Sequence, residues 1–170
     1  DPGGRKVPFA CFEVHRDELL RRSACLTADG EIVGTLGRGT IDEAVREELA
    51  TLAPRFWPAE WAEAVMAGVR STEVLSGAPI AEYMPPRLAH GALAIVGDAA
   101  HVVSPMTGRG YLTGVEDATL LAGTLADRPA EEPIAAALAR YGAARLPFVR
   151  GLVAHSSRIS AEYRRYAAAK

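Results

Sequence analysis

The segment Val96–Ala118, VGDAAHVVSPMTGRGYLTGVEDA, constrains the fold of this chain more than any other stretch. It grows out of ALAIVGD, an uninterrupted apolar run of strand length that ends at Gly97 and Asp98. Such a run suits a strand buried on both faces, so Ala92–Val96 is expected to be a central strand. Ligands of α/β sheets collect at the carboxyl ends of strands, where Asp98 stands. An ionised carboxylate only accepts hydrogen bonds, and a ribose or polyol chain offers the matching hydroxyls. Capping the next turn is the competing role for Asp98.

Ten residues later, Gly108 and Gly110 straddle the start of a helical run. A helix start presents free N–H groups and about half a positive charge. Missing side chains let a ligand touch that backbone, which suits an anion or an electron-rich ring. Two glycines in a tight strand-to-helix turn would read the same way if they stood alone. The ordered set Gly97-Asp98, Pro105, Gly108, Gly110 and Glu116-Asp117-Ala118 says more, because each element has a place around one ligand. In the helix, Leu112, Val115, Ala118, Ala122 and Leu125 share one face, the expected core face.

Upstream, Val7–Val14 reads as a strand, residues 15–25 have a short helical rhythm, and Asp29-Gly30 marks a turn before a strand at Glu31–Leu36. Thr40 or Asp42 caps a helix that Pro54 should end. A second helix opens at Pro58 and closes near Gly68. Residues 70–83 read as a strand interrupted around Gly77 and Pro79, the proline suggesting an edge or a bulge. Past Arg128-Pro129 the chain is helical to about Tyr166, with an interruption or kink at Pro147. The expected fold is α/β or mixed α+β, with several early strands followed by a buried strand and long helices.

Half the residues are hydrophobic (49%) and 24% are charged, which is the balance of a globular protein. A net charge of −2 leaves no electrostatic footprint for nucleic acid, and no apolar run is long enough to span a membrane. The N-terminus lacks a secretory signal, and Cys11 and Cys25 read as reduced thiols, so a cytoplasmic location is expected. The four histidines show no metal spacing. His101 reads as a structural residue in preference to a general base. Trp57, Trp61 and Tyr83 read as core packing in preference to a substrate cavity.

The stretch GDAAHVVSPMTGRGYLTGVEDATLLAGTLA resembles the second flavin-binding motif of the class A FAD-dependent aromatic hydroxylases, relatives of para-hydroxybenzoate hydroxylase. That pattern runs G-D-A-A-H, then P-x-x-G-x-G, then a helix containing E-D-A. The resemblance implies that Asp98 binds the ribityl chain of FAD and that Gly97 belongs to the same cofactor site. It implies that Pro105, Gly108, Arg109 and Gly110 lie beside the isoalloxazine ring, with the N–H groups of Tyr111 and Leu112 at its N1/O2 edge. The family often has Asn where this chain has Leu112, so only the backbone of Leu112 can serve. It often has Gln where this chain has Arg109, a cation that water, a phosphate or a substrate carboxylate could meet, the first two being favoured.

The resemblance also implies NAD(P)H as co-substrate and a small aromatic or heteroaromatic substrate, with an oligomer possible. No side chain presents itself as a catalytic acid or base. The family's N-terminal GxGxxG has no counterpart, since GTLGRGT and GRGYLTG have other spacings. The chain is therefore expected to be the C-terminal part of a longer flavoprotein. Residues 1–90 would be a partial substrate domain, residues 91–170 would hold the second flavin motif, and the N-terminal FAD-binding segment would be the absent partner. A non-catalytic binding or regulatory module on the same scaffold is the alternative.

Overall fold

A computed structural model of the chain describes residues 8–71 and 73–168. The chain divides into two compact units, one up to Pro79 and one from Ile80 onward. Helices are the main regular structure of both, with one small sheet in the second.

The first unit contains α1 (Asp17–Arg22), α2 (Glu43–Phe56) and α3 (Ala59–Arg70). Asp42 caps α2, its Oδ1 accepting the Val45 N–H at 2.9 Å. Pro54 lies inside α2, which continues to Phe56. A proline removes one donor and clashes with the turn before it, so its cost falls on a helix that is nearly over. Pro58 stands just outside α3 as its N-cap residue, and α3 runs on to Arg70.

Two apolar clusters hold this unit. Cys25, Leu36, Ile41 and Val45 form one, and Ala50, Ala53, Val65 and Val69 of the α2–α3 pair form the other. The expected early strands are not there. Residues 8–14 form no strand; Phe9 instead packs into the second cluster, edge-on to Trp57. Around Glu31–Leu36 only isolated bridges form, Leu26 with Ile32 and Leu36 with Gly77. A strand needs a ladder partner along its length, and none of the described residues supplies one to these segments. The Asp29-Gly30 turn does form, with Gly30 at φ +84°.

The second unit contains β1 (Ala89–His90), β2 (Leu93–Ala94), α4 (Gly110–Ala126) and α5 (Ile134–Ala168). β1 and β2 form an antiparallel hairpin, Ala89 opposite Ala94 and His90 opposite Leu93. Ala92–Val96 is thus a hairpin arm and not a central strand. Leu93 is 75% exposed and Ile95 is also exposed. The core beneath is Leu88, Ala100, Tyr141 and Val149, and Tyr141 donates its hydroxyl to the Ile95 carbonyl at 3.2 Å. α5 passes through Pro147 as one helix. No helix among the described residues is long and apolar enough to cross a membrane.

The face of α4 turned inward is the opposite of the one expected. Thr113 and Asp117 are fully buried, whereas Leu112, Val115 and Leu125 are exposed. The reason is a polar cluster inside the unit that claims Asp117.

Candidate functional site

Asp117 is the hub of the second unit. Its Oδ2 accepts the Gly97 N–H at 2.9 Å and faces His101 Nε2 at 2.7 Å, while its Oδ1 accepts Arg145 Nε at 2.6 Å. Arg145 also reaches Glu116 at 2.8 Å and the Thr113 carbonyl at 3.3 Å, and its guanidinium lies 4.3 Å from the centre of the Phe148 ring. Burial pushes the Asp117 carboxyl up, but Arg145, the Gly97 N–H and His101 together hold it below the ordinary range. A buried carboxylate is tolerated only with this degree of pairing. His101 is buried, and its Nε2 hydrogen goes to the Asp117 carboxylate.

The hub fixes the turn that carries Asp98. Gly97 adopts φ +57°, and residues 97–99 form a single 3₁₀ turn closed by the Ala100 N–H on the Gly97 carbonyl at 2.8 Å. Gly97 lies directly against Gly114 of α4, where an added Cβ on Gly114 would sit 3.4 Å from the Gly97 Cα. Asp98 itself is exposed and forms no hydrogen bond or ion pair with any described residue. Its carboxylate is available to a ligand beside the first turns of α4.

The glycine turn is built from Ser104 onward. Ser104 Oγ accepts the Met106 N–H at 3.3 Å, and Pro105 opens a second 3₁₀ turn, Pro105–Thr107. Gly108 closes it at φ +62°, and no atom lies within 4 Å of where its Cβ would be. Thr107 Oγ1 then accepts the Arg109 N–H at 3.2 Å, and α4 begins at Gly110. No side chain caps α4. The N–H groups of Gly110, Tyr111 and Leu112 donate to no described residue, and the Tyr111 side chain is 89% exposed.

The start of α4 thus offers open backbone donors, and Asp98 offers an exposed carboxylate acceptor. The N–H groups suit the electron-rich edge of a ring, and the carboxylate suits a polyol chain. Arg109 is committed elsewhere: its guanidinium pairs with Glu116 at 3.1 Å, so it meets a carboxylate of its own helix. Trp57 packs as expected, but Trp61 and Tyr83 are exposed and not core residues. Tyr83 contributes its backbone, bridging to Val102. Among the described residues no group of acidic, histidine or cysteine side chains could hold a metal.

A family profile described as FAD binding domain matches residues 46–156. The chain belongs to this FAD-binding family. Within it the chain is similar to the class A FAD-dependent hydroxylases. Aurachin C monooxygenase/isomerase of Stigmatella aurantiaca is 36% identical over 91 residues, covering 54% of this chain and 22% of the relative. PqsL, described as a probable FAD-dependent monooxygenase from Pseudomonas aeruginosa, superposes with a TM-score of 0.51 at 36% identity, covering 65% of this chain and 30% of PqsL. HpxO of Klebsiella pneumoniae, solved with FAD and uric acid, has a TM-score of 0.50 at 27% identity, covering 66% and 29%. PqsL has also been solved with 2-aminobenzoylacetate. The chain thus spans under a third of these solved FAD-binding relatives and about a fifth of the aurachin enzyme.

Sequence reading had missed Glu82, Ser104, Arg145, Ser156 and Ser160. Their partners lie up to 78 residues away, and no local motif marks them.

Proposed function

We propose that this chain is the C-terminal segment of an FAD-dependent, NAD(P)H-using monooxygenase that hydroxylates a small aromatic or heteroaromatic substrate. The observation that carries the reading is the exposed, unpartnered Asp98, on a turn whose Gly97 packs against Gly114 of α4, together with the uncapped start of that helix. Asp98 and Gly97 would hold the ribityl chain. Pro105, Gly108, Arg109 and Gly110 would border the ring, and the N–H groups of Tyr111 and Leu112 would face its N1/O2 edge. Bound FAD would supply the redox chemistry; the chain supplies position and a positive helix end, worth on the order of 1 kcal/mol toward an anionic ring. Uric acid and 2-aminobenzoylacetate, each found with a relative, support the substrate class.

In this reading residues 1–90 belong to a substrate domain and residues 91–170 to the flavin motif. An N-terminal FAD-binding segment completes the site. Support for that partner comes from the second unit, where Leu93, Ile95, Leu112, Val115 and Leu125 are all exposed. Leu112, Val115 and Leu125 share one face of α4, and an exposed apolar stripe of this kind suits a surface that another polypeptide covers. The free thiols Cys11 and Cys25 accord with a cytoplasmic protein.

The test is expression of the chain together with its upstream coding sequence. A yellow protein that oxidises NAD(P)H is expected. A folded product that never retains flavin overturns the reading and favours a non-catalytic module.

A further inference from the structure

We propose that Glu82 is a positioning residue for the glycine turn, acting through Ser156 on the backbone of Ser104; its relevance to flavin rests on the function proposed above.

Ser104 N–H donates to Ser156 Oγ at 2.8 Å, and Ser156 Oγ donates to Glu82 Oε1 at 2.7 Å. Ser160 Oγ donates to the same carboxylate oxygen at 2.8 Å. Ser156 and Ser160 are one helical turn apart on α5, so both hydroxyls reach one acceptor. Ser104 and Ser156 are completely buried.

The chemistry of the groups fixes the direction of this chain of bonds. An amide N–H can only donate, so the Ser156 oxygen must accept from Ser104. A carboxylate can only accept, so the Ser156 hydrogen must go to Glu82. Each bond polarises the next. Burial pushes the Glu82 carboxyl up, but the hydroxyls of Ser156, Ser160 and Ser157, together with Arg164, hold it below the ordinary range. It is therefore ionised wherever the protein is folded near neutrality.

What the relay holds is the root of the flavin turn. The backbone bridge between Tyr83 and Val102 brings the Glu82 segment alongside residues 102–104 and supplies no partner for the Ser104 amide. Without Ser156 that buried N–H is an orphan. The Ser104 carbonyl in turn accepts the Thr107 N–H at 3.0 Å and the Thr107 hydroxyl at 2.8 Å. Thr107 Oγ1 accepts the Arg109 N–H, the last link before α4. Glu82 thus ties the turn from Pro105 to Gly110 to α5 without belonging to the turn.

The experiment measures amide hydrogen exchange across residues 104–110 in the full chain, for wild type, Glu82→Ala, Glu82→Gln and Ser156→Ala. The alanine variants should speed exchange at Ser104 by about tenfold, the equivalent of one net hydrogen bond. Exchange in α2 should stay unchanged. Glu82→Gln keeps an acceptor oxygen and should restore near-wild-type protection. Should Glu82→Ala fail to fold, Ser156→Ala breaks the relay at its other end and carries the same test. The second readout is the visible absorption of FAD in the flavin-loaded protein, where Glu82→Ala should shift the band and Glu82→Gln should not. Unchanged exchange at Ser104 in both alanine variants overturns the inference, as does Glu82→Gln behaving like Glu82→Ala. A wild-type protein that takes up no FAD even when joined to its N-terminal segment, while the alanine variants still loosen residues 104–110, overturns the flavin reading and upholds the relay.

Discussion

Replacing Asp117 should show how much of the second unit depends on one buried charge. Its carboxylate is the acceptor for the Gly97 N–H, His101 Nε2 and Arg145 Nε, and its side chain has no exposed surface. Asp117→Ala removes all three acceptances at once. Breaking a buried pair by deleting one partner costs about 3–5 kcal/mol. Arg145 keeps Glu116 at 2.8 Å and is 11% exposed, so it is not left wholly unpaired. The loss should therefore fall near the lower end, about 3 kcal/mol. Asp117→Asn retains one oxygen, but whichever way the amide turns, its NH₂ faces a donor, and about 2 kcal/mol should be lost.

Urea denaturation followed by far-UV circular dichroism reads this directly. With a slope of roughly 1–2 kcal/mol per molar, the alanine midpoint should fall by about 2 M. If that chain does not fold, the asparagine chain supplies the number. Glu116→Gln is the control: its carboxylate is partly exposed, and its loss leaves every Asp117 contact in place, so its midpoint should stay close to wild type. An Asp117→Ala midpoint within about 0.5 M of wild type at an unchanged slope would refute the hub.

Acid should act on the same groups. The carboxyls of Asp117 and Glu82 lie below their ordinary values of 3.8 and 4.5, so the unfolded chain binds protons first. Their stabilisation is then complete above those values and lost as pH falls through the lower folded-state values. Unfolding midpoints should decline below about pH 4, and less steeply in Asp117→Asn; an equal slope in both chains would contradict this. Gly108→Ala should cost about 1–2 kcal/mol in thermal or urea unfolding, all of it backbone strain at φ +62°, since no atom lies within 4 Å of the new methyl. A larger loss would point to a contact that the turn does not show. The 170-residue chain alone should bind FAD weakly or not at all, because a few bonds of about 1 kcal/mol each do not offset immobilising the ligand. Micromolar or tighter binding in a fluorescence titration would show that affinity resides in this segment. In the protein reconstituted with its N-terminal segment, Asp98→Ala should lower flavin retention and leave the circular dichroism spectrum unchanged.

The parts of the candidate site that were legible in the sequence are those set by residues close along the chain. α4 starts at Gly110, within the helix start that the sequence places across Gly108 and Gly110. In the first unit, Asp42, one of the two caps the sequence offers for α2, accepts the N–H three residues on. What only the tertiary structure decided depends on partners distant in sequence. Periodicity identified which residues of α4 share a face. It could not say that Asp117, held by Arg145 28 residues away, would turn Leu112 and Val115 outward. Apolar composition made Ala92–Val96 look like a central strand, but strand rank depends on what pairs beside it, and among the described residues only the short β1 arm does. Glu82 and Ser156 carry no local signal at all, because a buried amide at Ser104 takes whatever acceptor the packing of α5 brings to it.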